Sequence, residues 1–301
     1  MKPLHWLIVL LTATLFGSSF LFIKLAVQEV PPLTLAAARV VLAAIAMTGM
    51  LYAVGGRLPA LGRNWFPLLV LGVLTAAVPY AAISWGQARI EASLGGILFA
   101  TIPIFTVVIA PMVTQETRLT GARLAGVGVA FAGVLTTLGT QAFNTLEIGG
   151  VSEHLAGAGA TLLAAFCYAI GNIYARIKTG INPIVMASGQ LITGSLILLP
   201  IALLIDPPLV ALPGDTALYS TLALSLLSTA TPVLMMFWLV RNAGATNASV
   251  LAFFIPVASV LLGTIVLHES LETHEIAGFA LILLGALAST GTFSRLITRT
   301  A

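Results

Sequence analysis

Apolar residues in this chain run nearly unbroken for about twenty positions at a time. The stretches fall at roughly 5–26, 33–54, 65–87, 92–114, 121–140, 155–176, 183–205, 216–239, 245–267 and 275–293. A helix rises about 1.5 Å per residue, so about twenty apolar residues cross a hydrocarbon core about 30 Å thick. The pattern predicts ten membrane-spanning helices. The short breaks carry turn formers and charges: Pro31-Pro32, Gly55-Gly56-Arg57, Asp206-Pro207-Pro208 and Pro213-Gly214-Asp215. None is long enough for a soluble domain. The first apolar stretch leads straight into a second and reads as a helix rather than a cleaved signal peptide.

Alternating the breaks between two faces sorts the charges. Lys2, Arg57, Arg63, Arg118, Arg123, Arg176, Lys178, Arg241, Arg295 and Arg299 fall on the N-terminal face. Only Lys24 and Arg89 fall on the opposite face, and Arg39 lies within a span. By the positive-inside rule, both termini are expected in the cytoplasm. A missed span would scramble this split, so it supports the number ten independently. Nine of the ten acids lie on the face opposite the termini.

The chain also matches itself. At an offset of 153 residues Thr75 meets Ser228, Pro79 meets Pro232, Trp85 meets Trp238, Ala92 meets Ala245, Pro103 meets Pro256 and Glu116 meets Glu269. At 152, Lys24 meets Arg176, Pro31 meets Pro183, Gly126 meets Gly278, Gly133 meets Gly285 and Gly139 meets Gly291. The expected domains are residues 1–145 and 150–301, each a five-helix repeat. Five is odd, so the second repeat lies inverted in the membrane. The expected fold class is therefore an all-α integral membrane protein, with ten transmembrane helices as two inverted five-helix repeats. Secondary transporters recurrently use this architecture, with substrate near the midplane. Spans 3, 4, 8 and 9 carry Pro79, Pro103, Pro232 and Pro256 inside the bilayer, where each frees a carbonyl that a wet cavity or a neighbouring helix must satisfy. Spans 5 and 10 carry glycines seven residues apart, which suits close outer packing or a dimer contact.

Composition narrows the function. Of 301 residues 59% are hydrophobic and 8% charged, against about a quarter charged in soluble domains. The net charge is +3, but the basic residues are scattered singly, without the stripe that nucleic acid needs. Cys167 is the sole cysteine, so no intrachain disulfide forms. His5, His154, His268 and His274 lie near span ends, and no HExxH, GxSxG, P-loop or metal cluster is present. The expectation is no enzyme, no cofactor and no metal. A receptor or scaffold lacks a domain outside the bilayer, and a channel lacks a recognisable filter.

Phe16-Gly17-Ser18-Ser19-Phe20 in span 1, Pro32 and Arg39 around the start of span 2, and the Pro-then-Glu ends of spans 4 and 9 resemble the drug/metabolite transporter superfamily. The nearest branch is the EamA-type exporters, and the resemblance covers nearly the whole chain. It implies export of amino acids or other small metabolites through a cavity lined by spans 1, 3, 4, 6, 8 and 9, in a bacterial plasma (inner) membrane. Members often carry Trp where this chain has Phe16. A drug or quaternary-amine exporter is the alternative; it would favour a cavity carboxylate. A nucleotide-sugar carrier would favour several inward basic residues. The implied partners are a small-molecule substrate and the lipid bilayer, as a monomer or homodimer.

Arg39 lies about six residues into span 2, roughly 9 Å along the helix. An Arg at that depth faces the bundle interior or a cavity. It either neutralises a substrate carboxylate, or reaches the interface or binds helix-end carbonyls and so holds spans 1 and 2 together. Ser18, Ser19, Tyr80, Ser84, Trp85, Thr101, Tyr168, Asn172, Trp238 and Asn247 are the other substrate-binding candidates, since hydroxyls, amides and aromatic faces orient small polar molecules. Trp85 and Trp238 also suit the membrane interface. Glu116 and Glu269, at the ends of spans 4 and 9, are candidates for gating or coupling, or plain solvated carboxylates.

Overall fold

The computed structural model describes residues 2–58, 65–113, 120–139, 152–177, 181–208, 212–244, 248 and 250–289, and among them the only regular structure is helical. Ten helical segments follow one another: α1 Pro3–Ala26, α2 Pro32–Ala53, α3 Trp65–Gln87, α4 Ala92–Val113, α5 Gly121–Leu138, α6 Glu153–Ile177, α7 Pro183–Ile205, α8 Asp215–Ala243, α9 Leu251–Val266 and α10 Thr273–Ser289. Segments α1 to α8 are long and apolar enough to cross a membrane, while α9 and α10 are shorter apolar helices. The bounds lie within a few residues of the apolar stretches except at α9, whose expected first turn falls partly outside the described residues.

Proline starts several helices, because its missing N–H costs nothing in the first turn. Pro32 opens α2, and Pro183 opens α7 behind Asn182, whose side chain accepts from Ile184 N at 2.9 Å. Pro79 and Pro232 sit deeper, and each lies just past a π-helical turn, Val73–Ala77 in α3 and Leu226–Ala230 in α8. The two turns are 153 residues apart. A proline ring collides with the carbonyl four residues back, and widening the preceding turn relieves that collision. Pro103 has a different outcome: α4 breaks at Ala100–Thr101.

Side-chain contacts fix the direction of every helix. At one end of the bundle Glu29, just beyond α1, touches the start of α8 (Glu29 Oε2 to Gly214 N, 2.6 Å), and Asp206, just beyond α7, touches the start of α2 (Asp206 Oδ2 to Thr34 N, 2.6 Å). Glu269 beyond α9 meets the start of α4, Arg89 beyond α3 meets Glu153 of α6, and Gly139 beyond α5 lies against His274 of α10. Odd-numbered helices therefore end, and even-numbered ones begin, at the same end. At the other end the start of α1 meets the end of α8, with the His5 and Trp238 rings 5.9 Å apart.

Packing follows the same order. α2 lies along α7 and α5 along α10; α1 packs on α8 and α9, while α6 packs on α3 and α4. Small residues make the closest crossings. A Cβ on Gly17 would stand 2.8 Å from Ile255 O, and one on Gly86 2.7 Å from Gly157 O. Between α5 and α10 the glycines face each other: a Cβ on Gly133 would lie 2.7 Å from Ile282 N and 2.8 Å from Gly278 O. This glycine face, read from sequence as suited to outer packing or a dimer contact, is filled within the chain, so a dimer would have to use another face of these helices.

Because the obstacle at Gly133 is backbone, Gly133→Val is expected to lower stability by about 1–3 kcal/mol through overpacking. Gly128→Val, with nothing near its Cβ, is expected to leave the thermal unfolding midpoint in detergent close to that of the parent. Thermal melts of both variants check this.

Candidate functional site

The π-helical turn of α8 is where the polar residues of the interior collect. Pro232 deprives the carbonyl of Ser228, four residues earlier, of its helical donor. The hydroxyl of Ser19, on α1, donates to that carbonyl at 3.2 Å. Ser18 Oγ lies 2.8 Å from Ser228 Oγ and also donates to Leu15 O at 2.8 Å. Thr229 Oγ1 donates to Leu224 O at 2.7 Å, the long reach that a widened turn allows. A carbonyl that lipid cannot serve is thus served by a neighbouring helix.

Arg39 enters this cluster from α2. Its side chain is buried, with the residue 4% exposed. Nε donates to Thr229 Oγ1 at 2.9 Å and Nη2 to Ser19 Oγ at 3.3 Å. The guanidinium carbon stands 4.0 Å from the centre of the Tyr80 ring, a cation–π contact strengthened by exclusion of water. Nη1 is buried and has no hydrogen-bond partner among the described residues. Beyond Tyr80 the aromatic wall continues through Tyr168 at 6.3 Å, Phe99 at 5.3 Å from Tyr168, and Phe20 at 5.6 Å from Phe99. Helices α1, α2, α3, α4, α6 and α8 all contribute to this one locality.

Five of the residues expected from sequence therefore meet: Ser18, Ser19, Arg39, Tyr80 and Tyr168. The others lie elsewhere. Ser84 is fully buried on α3, and its hydroxyl and Gln87 Oε1 are without partners among the described residues. Trp85 lies under Arg89, whose guanidinium carbon is 3.7 Å from the ring centre, close to the Arg89–Glu153 pair, as suits an interface anchor. Thr101 donates to Leu98 O at 2.7 Å at the break in α4. Trp238 is at the far end of α8 against His5 and is 37% exposed. Asn247 and Glu116 lie outside the described residues.

Asn172 shows where the interior opens. Thr161, Ala165, Tyr168 and Asn172 form one stripe of α6 at helical spacing. The first two are buried, Tyr168 is half-buried and Asn172 is exposed. Along α4, Ala92 to Leu98 are buried, whereas Phe105 to Val107 are half-buried. The bundle is tight at the end opposite the N-terminus and looser toward the N-terminal end. Glu269 sits at the tight end. Its carboxylate accepts from Ala92 N at 2.8 Å, Ser93 N at 2.9 Å and Ser93 Oγ at 2.5 Å, capping the first turn of α4 from across the bundle. His268 precedes it with φ 55°, a left-handed turn residue. Lys24 completes that end, donating to Gln87 O at 3.3 Å, the last carbonyl of α3, and to Ile90 O at 2.7 Å just beyond it.

Two stretches of this chain, residues 4–139 and 155–291, match the EamA-like transporter family. The chain belongs to that family. A protein of Archaeoglobus fulgidus named an uncharacterized transporter is 28% identical over 286 residues, spanning 93% of this chain and 96% of the relative. YoaV of Bacillus subtilis, an uncharacterized transporter, is 24% identical across 93% and 94% of the two chains. YedA of Escherichia coli K12, an uncharacterized inner membrane transporter, is 26% identical across 92% and 87%. A crystal structure matches at a TM-score of 0.67 over 98% of this chain and 99% of its own, with 19% identity, which shows a shared fold. This EamA-like protein is thus a multi-pass membrane protein of a transporter family.

Sequence reasoning missed Ser228 and Thr229 as site residues. The signal was present: each lies three or four residues before an intramembrane proline, where the backbone is short of a donor. In the EamA-like chain, Ser19→Ala would strip the partner from the Ser228 carbonyl and from Arg39 Nη2 together, a loss expected to destabilise by about 1–3 kcal/mol. Ser18→Ala, which breaks only contacts between small groups, is expected to cost less. The order of the two thermal midpoints is the check.

Proposed function

We propose that this protein exports small metabolites that bear a carboxylate, amino acids first among them, by alternating access through a central cavity between two inverted five-helix repeats in a bacterial plasma membrane. The observation that carries the reading is Arg39: a guanidinium buried between α2 and the π-helical turn of α8, with no acid beside it and one nitrogen unpartnered among the described residues. A charge at this depth is costly and marks a substrate path more often than packing. The reading of two repeats is supported by the two family matches, by helix directions that invert between α1 and α6, and by the exchange of neighbours between α1 on α8 and α9 and α6 on α3 and α4. Both termini are proposed to be cytoplasmic, and the looser end then faces the cytoplasm. The alternative, export of drugs or quaternary amines, would favour a carboxylate in the cavity. The described carboxylates instead lie at helix ends.

Glu269 is proposed as the gate residue of the tight end. It joins α9 of the second repeat to α4 of the first, so separating the repeats there must break its three hydrogen bonds. Glu116, at the 153-residue offset, is its proposed counterpart on the other face.

Efflux from proteoliposomes loaded with a labelled metabolite panel, with and without a pH gradient, tests the transport reading. Amino acids are expected to leave without need of the gradient, and Arg39→Ala to cut that rate at least tenfold. Efflux of organic cations alone would move the protein to the drug-exporting alternative. For the gate, a cysteine at Asn172 in a Cys167→Ser background is expected to react with an impermeant thiol reagent from the N-terminal face. Adding Glu269→Ala is expected to raise its labelling from the opposite face several-fold, and unchanged labelling would remove Glu269 from the gate.

A further inference from the structure

We infer that the Arg39 site receives one carboxylate from a molecule whose remainder is apolar and uncharged, so that monocarboxylates without an ammonium group bind more tightly than free amino acids. This inference rests on the reading of the Arg39 locality as the cargo site and reorders the cargo proposed for it, placing monocarboxylates without an ammonium group ahead of amino acids.

Geometry supplies the first argument. A guanidinium has five N–H donors in a planar fork. The edge formed by Nε and Nη2 is taken by Thr229 and Ser19, while the Nη1 end, with two N–H groups, is buried and unpartnered. An arginine that served packing alone would be expected to turn that end toward a carbonyl. Here the fork is held by one edge and presents the other end, the arrangement in which it can accept an incoming carboxylate oxygen through charge-assisted hydrogen bonds.

Charge supplies the second. Two hydroxyls and a ring face do not neutralise a buried cation, and an uncompensated buried charge is strongly destabilising. Among the described residues no carboxylate approaches Arg39, and three of those nearest the bundle ends, Glu29, Asp206 and Glu269, are already held by backbone N–H groups. The missing counter-charge is therefore one negative charge brought by the ligand. A dianion would carry a second charge with nothing to meet it. An α-ammonium group would sit within a few ångströms of the guanidinium, with like-charge repulsion and no acid to hold it.

The surroundings supply the third. The neighbours beyond Arg39 are the rings of Tyr80, Tyr168, Phe99 and Phe20, packed ring against ring, and such neighbours suit the apolar part of a ligand. The site exists once. At the 152- and 153-residue offsets, Arg39, Ser19, Thr229 and Tyr80 correspond to Leu191, Gly171, Ala76 and Val233. The second corner is apolar, so one ligand per chain is expected.

Isothermal titration of the full chain in detergent with a matched ligand set tests this without relying on a variant that folds poorly. The ligands are 3-phenylpropionate, its neutral amide, phenylalanine, 2-phenylethylamine and benzylmalonate, all at pH 7.5. The expected result is one site for 3-phenylpropionate, with a Kd at least tenfold below that of each of the others. Arg39→Lys, which keeps the charge and loses the fork, is expected to weaken 3-phenylpropionate at least tenfold. Any smaller preference, including no binding at all, overturns the inference. Tighter binding of phenylalanine, together with amino-acid efflux, would leave the transport reading standing while removing this one. Binding of 2-phenylethylamine alone would remove both.

Discussion

Backbone groups in a hydrocarbon layer have no water to bond to, so each freed carbonyl must find a donor inside the chain. In this protein that requirement falls hardest on the carbonyl of Ser228, displaced from its helical partner by Pro232. The widened turn of α8, the approach of α1 with the Ser19 hydroxyl, and the landing of Arg39 on Thr229 follow from it. One missing N–H thus gathers hydroxyls from α1 and α8 and a guanidinium from α2. The aromatic wall of Tyr80 and Tyr168 then shields the charge from lipid. The cluster is thus built around a helix defect.

The first half of the chain has the same defect in mirrored form, yet builds no site from it. Pro79 follows the π-helical turn at Val73–Ala77, but the residue facing Thr75 from α6 is Gly171, whose lack of a side chain makes room for the Thr75 methyl. One corner of the bundle is therefore polar and hydrogen-bonded, the other smooth and closely packed. Small-residue crossings recur on the smooth side, with Gly72 and Gly194 between α3 and α7 and Gly86 and Gly157 between α3 and α6. Even on that side a hydroxyl ties two helices, with Thr193 Oγ1 of α7 donating to Leu68 O of α3 at 2.8 Å.

The tight end of the bundle has its own logic. Glu29, Asp206 and Glu269 each cap the first turn of a helix that is not their sequence neighbour, α8, α2 and α4 respectively. Carboxylates favour helix N-termini because the free N–H groups and the helix dipole both attract negative charge. On this face the acids do more than make the loops soluble: they tie helices of one family-matched stretch to helices of the other. Breakage of such ties on one face is compatible with an intact site at mid-depth.

Much of this was legible in the chain itself. Helix positions followed from runs of apolar residues, because bilayer thickness sets their length. The alternation of faces followed from the Lys and Arg split, and the pairing of defects from prolines at a fixed offset. Arg39, Ser18, Ser19, Tyr80 and Tyr168 were legible as candidates because polar groups at mid-span are expensive. Their assembly was not: Ser18, Arg39 and Tyr168 are far apart in sequence, and nothing in local pattern says which helix faces which. Tertiary packing decided that Trp85 lies under Arg89 at an end, that Glu269 caps α4, and that the α5 and α10 glycines meet each other. Those outcomes depend on how close two helices can approach and on which donor reaches a freed carbonyl. A sequence read one helix at a time contains the groups, but only the packed bundle supplies the distances.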